Sequence, residues 1–75
     1  MEPIIFEVQN KIDFTGLFSV TDSEDYHIVC DFIGNGDNYT PIHFHVDHNN
    51  LLSIGDILYY HSDSKKLRVL FGNYL

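Results

Sequence analysis

The sequence has no alanine and no tryptophan, a single cysteine, two prolines and only four basic residues. Each shortage narrows the field. Alanine is the best helix former, and its absence beside 16 isoleucine, valine and threonine residues favours strands over helices. A lone Cys30 cannot form an internal disulfide, which fits a reducing compartment, and the chain is read as cytoplasmic. Four bases against 11 acids leave a formal net charge of −7, a field that repels phosphate and anionic lipid. Long apolar runs are also missing. The longest, Ile57 to Tyr60, falls far short of a membrane span, and the amino terminus lacks the basic start of a signal peptide. Seventy-five residues make one small domain, too short for the common enzyme sheets.

What is present is alternation. Ile4, Phe6, Val8, Ile12, Phe14, Phe18 and Val20 share one parity, as one bent strand or as two strands turning near Gln9-Asn10-Lys11. Gly16 falls at an inward position and marks a bend or bulge. Thr21 to Asp25 reads as a polar turn. Tyr26 to Ile33 follows as a strand with Tyr26, Ile28, Cys30 and Phe32 inward. Gly34 to Asn38 is a turn, and Tyr39 to Val46 a strand with Ile42, Phe44 and Val46 inward. Residues 48–54 have room for at most one short helical turn. Ile57 to His61 and Leu67 to Phe71 form a hairpin across Ser62-Asp63-Ser64-Lys65. Its register sets Leu58 against Val69, Tyr60 against Leu67, Tyr59 against Arg68 and Ile57 against Leu70. The expected core is Phe14, Phe18, Ile28, Phe32, Ile42, Phe44, Leu58 and Val69. The expected fold is all-β: a five- or six-stranded curved antiparallel sheet or barrel, oligonucleotide-binding-like or SH3-like. The run Leu52 to Leu58 is similar to one in SH3 domains, but that family's aromatic ligand-binding residues have no recognisable counterpart here.

One string stands out chemically. His43-Phe44-His45-Val46-Asp47-His48 resembles the H-x-H-x-D-H metal motif of the metallo-β-lactamase superfamily, over six residues. That fold needs a much longer chain and further ligands downstream. His43, His45, Asp47 and His48 therefore stand as a candidate zinc site of a metal-binding module, against the simpler reading of a solvated, histidine-rich strand face. Otherwise no cofactor is implied. No phosphate loop, nucleophile elbow or calcium loop occurs in the sequence. Cys30 lies between Ile28 and Phe32 as a small buried hydrophobe.

Two further surfaces follow from the pattern. Asp22, Glu24, Asp25, Asp31 and Asp37 crowd one stretch of chain. Ile57, Tyr59 and Leu70 fall on the side of the last hairpin away from its core face. Together they point to a non-enzymatic, acidic protein-binding module with a basic protein partner. An inhibitor or immunity-type role fits, with carboxylates mimicking a phosphate backbone. A second copy of the chain is the alternative partner for the apolar residues. Tyr59, Arg68, Lys65 and Lys66 would serve a single-stranded nucleic-acid binder, although the net charge opposes one.

Overall fold

The computed structural model describes residues 4–34 and 40–72. Six antiparallel strands form one sheet: β1 (Ile5–Glu7), β2 (Gly16–Glu24), β3 (His27–Ile33), β4 (Ile42–His45), β5 (Ile57–His61) and β6 (Lys66–Phe71). Their order across the sheet is β1-β6-β5-β2-β3-β4. The all-β expectation holds, and among the described residues none is helical. β2 is the spine. Its first half pairs with β5 through Gly16–Tyr60 to Ser19–Ile57, and nearly its whole length pairs with β3.

The sheet curls into a half-barrel around one apolar core. Phe6, Phe18, Ile28, Phe44, Leu58, Tyr60 and Leu67 are its largest fully buried side chains. Phe18 and Phe44 meet edge to face at 4.9 Å, a preferred aromatic geometry. Five of the expected core residues, Phe18, Ile28, Phe44, Leu58 and Val69, are buried, while Phe32 and Ile42 pack partly buried against them. Phe14 departs from expectation. It precedes β2, remains 40% exposed, and lays its ring edge-on against Phe32 at 5.2 Å. Parity placed it inward, but no strand continues over it there.

The two edge strands meet at one end. Val8 bridges Val46, and Gln9 N–H donates to the His45 carbonyl. Asn10 then treats β4 as a strand would. Its side-chain nitrogen donates to the His43 carbonyl and its oxygen accepts from His45 N–H, both at 2.8 Å. This covers an edge that would otherwise offer free pairing groups. The first parity run is thus two strands separated by residues 8–15.

Three local expectations change. The polar run from Thr21 is not a turn: β2 continues to Glu24, and only Asp25 and Tyr26 turn. A bulge between Val20 and Asp22 absorbs Thr21, whose hydroxyl donates to the Val29 carbonyl. Tyr26 therefore sits at the turn, 55% exposed, rather than inside. In the last hairpin, Leu58–Val69, Tyr59–Arg68 and Tyr60–Leu67 pair as expected. A second bulge matches Ile57 to Phe71 instead of Leu70. The turn takes Lys65 to φ 58°, the left-handed region. Gly16 opens β2 where the Phe32 ring crosses, and a Cβ there would collide with that ring.

Residues 46–56 connect β4 to β5 without regular structure, following the second half of β2. Val20 N–H donates to the Asp56 carbonyl, and Gly55 N–H to that of Val20. Ser53 to Asp56 closes a turn with Gly55 at φ 98° in its third position, the geometry of a type II turn. Asp56 is buried and holds Ser53 N–H at 2.9 Å through its carboxylate.

Candidate functional site

Inward-facing Ile28, Cys30 and Phe44 force His27, Val29 and Asp31 on β3, and His43 and His45 on β4, to the outer face. The bulge at Thr21 resets the phase of β2, so Asp22 and Glu24 also face out. Register then lines up two rows across three strands. One is Glu24–His27–His45 and the other Asp22–Val29–His43.

Three imidazoles meet on this face. His27 Nε2 lies 2.8 Å from His43 Nδ1, one nitrogen donating to the other. The His27 ring also stacks on His45, with centroids 4.8 Å apart and planes 4° from parallel. His27 is the member that sequence reading missed, because it enters only through the β3–β4 register.

The expected metal quartet divides instead of converging. His43 and His45 turn to His27. Asp47 accepts from Glu7 N–H at 3.0 Å and pairs with His48 Nδ1 at 2.9 Å, while the His48 ring stacks on Phe6. The Glu7 N–H bond, with a smaller contribution from His48, holds the Asp47 carboxyl below the usual carboxylate range. Among the described residues, no group of three or more histidine, cysteine or acidic side chains is arranged to hold a metal ion.

The acidic stretch has a definite shape. Asp22, Glu24 and Asp25 are exposed along the part of β2 that has left β5, and on the turn after it. Asp31 is half-buried on β3 opposite Ser19, and Asp37 lies outside the described residues. Among the described residues, no lysine or arginine forms an ion pair with these acids. Beside them runs the β4–β5 connection, fastened by polar side chains. Asn50, itself buried, donates from Nδ2 to the Glu24 and Asp25 carbonyls at 3.2 and 2.7 Å, and its Oδ1 accepts from Leu52 N–H. Ser23 donates to the Leu52 carbonyl at 2.7 Å. Leu52 fills the core, but its neighbours Leu51 and Ile54 stand 80% and 76% exposed. Two large aliphatic side chains are therefore exposed on a loop anchored along β2, and the carboxylates of Asp22, Glu24 and Asp25 form no ion pair among the described residues. No periodicity announces Leu51 and Ile54. The only signal is the short apolar run Leu51-Leu52-Ser53-Ile54 within the connection, of which Leu52 alone is buried.

The outer side of the last hairpin is arranged differently. Tyr59 is partly exposed between Arg68 on β6 and Leu17 on β2, with Leu70 exposed and Ile57 half-buried nearby. Lys66 pairs with His61, and Lys65 occupies the turn. The apolar residues expected on this side are thus present, on a different part of the sheet from the acids.

Two buried groups remain. Burial, with a smaller push from Asp31, raises the Cys30 thiol to about 12, so it is no nucleophile at neutral pH. The Tyr60 hydroxyl is buried with no hydrogen-bond partner among the described residues. Burial and then the negative charge of Asp13 raise its pKa, keeping it neutral.

No family model, curated protein or solved structure matches this chain. Among the described residues, no helix is long and apolar enough to cross a membrane.

Proposed function

We propose that the chain is a non-enzymatic, cytoplasmic protein-binding module, and that its partner presents a basic surface with apolar pockets. The observation that carries this reading is the ridge built by β2 and the β4–β5 connection. Asp22, Glu24 and Asp25 have no cationic partner among the described residues, and Leu51 and Ile54 are exposed on the connection that Ser23 and Asn50 fasten to the same segment. Protein interfaces concentrate affinity in a few desolvated apolar anchors, while surrounding charges steer the approach and select the partner. A ridge of carboxylates with two aliphatic knobs matches both requirements. Its charge would suit the basic groove of a nucleic-acid-handling protein, in the manner of an inhibitor or immunity protein.

The test compares three baits in native lysate by mass spectrometry. They are the wild type, Leu51→Ser/Ile54→Ser, and Asp22→Asn/Glu24→Gln/Asp25→Asn. The expected result is a basic protein held by the wild type and depleted about tenfold or more with either variant. A captured set that both variants retain would place the contact elsewhere and overturn the reading.

A further inference from the structure

The histidine cluster and the acidic ridge form one continuous outer surface. Glu24 sits directly across from His27, and His27 directly across from His45. Asp22 lies two residues further along β2, beyond Val29 from His43. We infer that His27, His43 and His45 form a proton-operated switch that weakens the ridge's hold on a basic partner as pH falls. This inference rests on the ridge being the binding surface.

The geometry dictates the sign. In the neutral cluster, one proton between His27 Nε2 and His43 Nδ1 satisfies both nitrogens at 2.8 Å. Once both nitrogens carry protons, each is a donor and neither can accept, so the bond is lost. Imidazolium charges then lie within stacking distance, 4.9 Å for His27–His43 and 4.8 Å for His27–His45. These charges arise within a Debye length of the ridge, where they offset its field. Imidazole is the side chain that ordinarily changes charge between about pH 5 and 8.

The surrounding charges are few and known. β2 supplies Glu24 and Asp22, the turn supplies Asp25, and β3 itself adds Asp31. β4 contributes the two histidines, and just past it Asp47 is engaged by Glu7 N–H and His48. The segment fastened to β4 by Asn10 brings Lys11 and Asp13, which pair with each other at 3.8 Å. Among the described residues, no lysine or arginine forms an ion pair with Asp22, Glu24, Asp25 or Asp31, so uptake of protons by the histidines is the change that offsets these charges.

The experiment uses an N-acetylated amphipathic peptide of alternating lysine and leucine, whose charge is constant from pH 7.5 to 5.5, with binding read by fluorescence anisotropy. Wild type is expected to bind at pH 7.5 and to weaken about tenfold at pH 5.5. His27→Gln/His43→Gln/His45→Gln is expected to bind like wild type at pH 7.5 and to change less than about twofold at pH 5.5. His27→Gln alone, which removes the shared proton and both stacks, is expected to fall between them; it also serves if the triple variant folds poorly. A pH dependence as large in the histidine variants as in wild type would assign the effect to other groups, such as His48 or His61, and overturn the switch alone. PH-independent binding by wild type would do the same. Absent binding at pH 7.5, or binding that Asp22→Asn/Glu24→Gln/Asp25→Asn leaves intact, would overturn the ridge reading and the switch with it.

Discussion

Residues 57–61 and residues 50–56 both run beside β2, one as a strand and the other as an irregular chain. β5 alternates: Leu58 and Tyr60 are buried, while Tyr59 and His61 face out. Its place is set by repeated apolar burial and by the ladder to β2 and β6. The connection has one core anchor, Leu52, and otherwise depends on polar contacts from Ser23, Asn50 and Asp56. The strand is over-determined, because losing one contact leaves many. The connection follows its path through a few contacts, each without a substitute. Freed from alternation, it can hold Leu51 and Ile54 away from the core, which a half-buried strand would do only for alternate residues.

The largest test of this contrast is Phe44→Ala. Phe44 packs on Phe18 at 4.9 Å and Tyr60 at 5.1 Å, and its truncation should cost about 3–5 kcal/mol. Domains of this size have little more than about 5 kcal/mol in total, so urea unfolding should begin near zero denaturant. An unchanged midpoint would mean that the interior is not what holds the sheet.

Asn50→Ala comes next, at about 1–3 kcal/mol, since it removes three hydrogen bonds at a buried position. Its signature separates the regions. Amide exchange should quicken at Leu52, Gly55 and Asp56, while Leu58, Tyr60 and Leu67 stay protected. Loss of protection throughout the barrel would show that connection and strand unfold as one unit, and the contrast would fail.

Gly16→Ala sharpens the strand side. The new methyl meets the Phe32 ring, which is itself wedged against Phe14 and Phe18, so the cost should be about 1–3 kcal/mol. A melting temperature equal to wild type would mean that the Phe32 ring moves aside freely.

The smallest effect belongs to Asp47, which ties β1 to the start of the connection. Its carboxyl is held below the usual range by Glu7 N–H, so its stabilisation is present above about pH 4 and is lost as pH falls through the depressed folded value. The site is exposed, and Asp47→Asn should cost under about 1 kcal/mol at pH 7. The variant should converge with wild type in acid melts below that window. A constant difference at all pH values would assign the effect to packing.

How much could be read in advance depended on sequence distance. The pairs Leu58–Val69, Tyr59–Arg68 and Tyr60–Leu67 were legible because a short turn fixes a local register. The pair His27–His45 was not, because residues 34–41 separate the strands and leave their register open. Phe14 and Tyr26 were placed inside by parity alone. Parity tells which side of a strand a residue takes, but not whether the sheet extends over it. The acids of the candidate ridge were visible as a cluster of Asp and Glu, whereas its aliphatic half, Leu51 and Ile54, had no periodic signal.

Composition and alternation therefore determined the class of fold, most of the core and the sign of the protein's field, because these depend on residue type and nearest neighbours along the chain. Tertiary structure alone decided which outward residues share a surface. Thr21 bulges out of β2 and shifts the phase of Asp22 and Glu24, and Asn10 clasps β4 across 33 residues. Asn50 draws the connection against Glu24 and Asp25, 25 residues away at the nearer of the two. The physical reason is that a strand's inward face is selected by burial, which the chain encodes locally, while its outward neighbours are selected by register and by single polar contacts between distant segments.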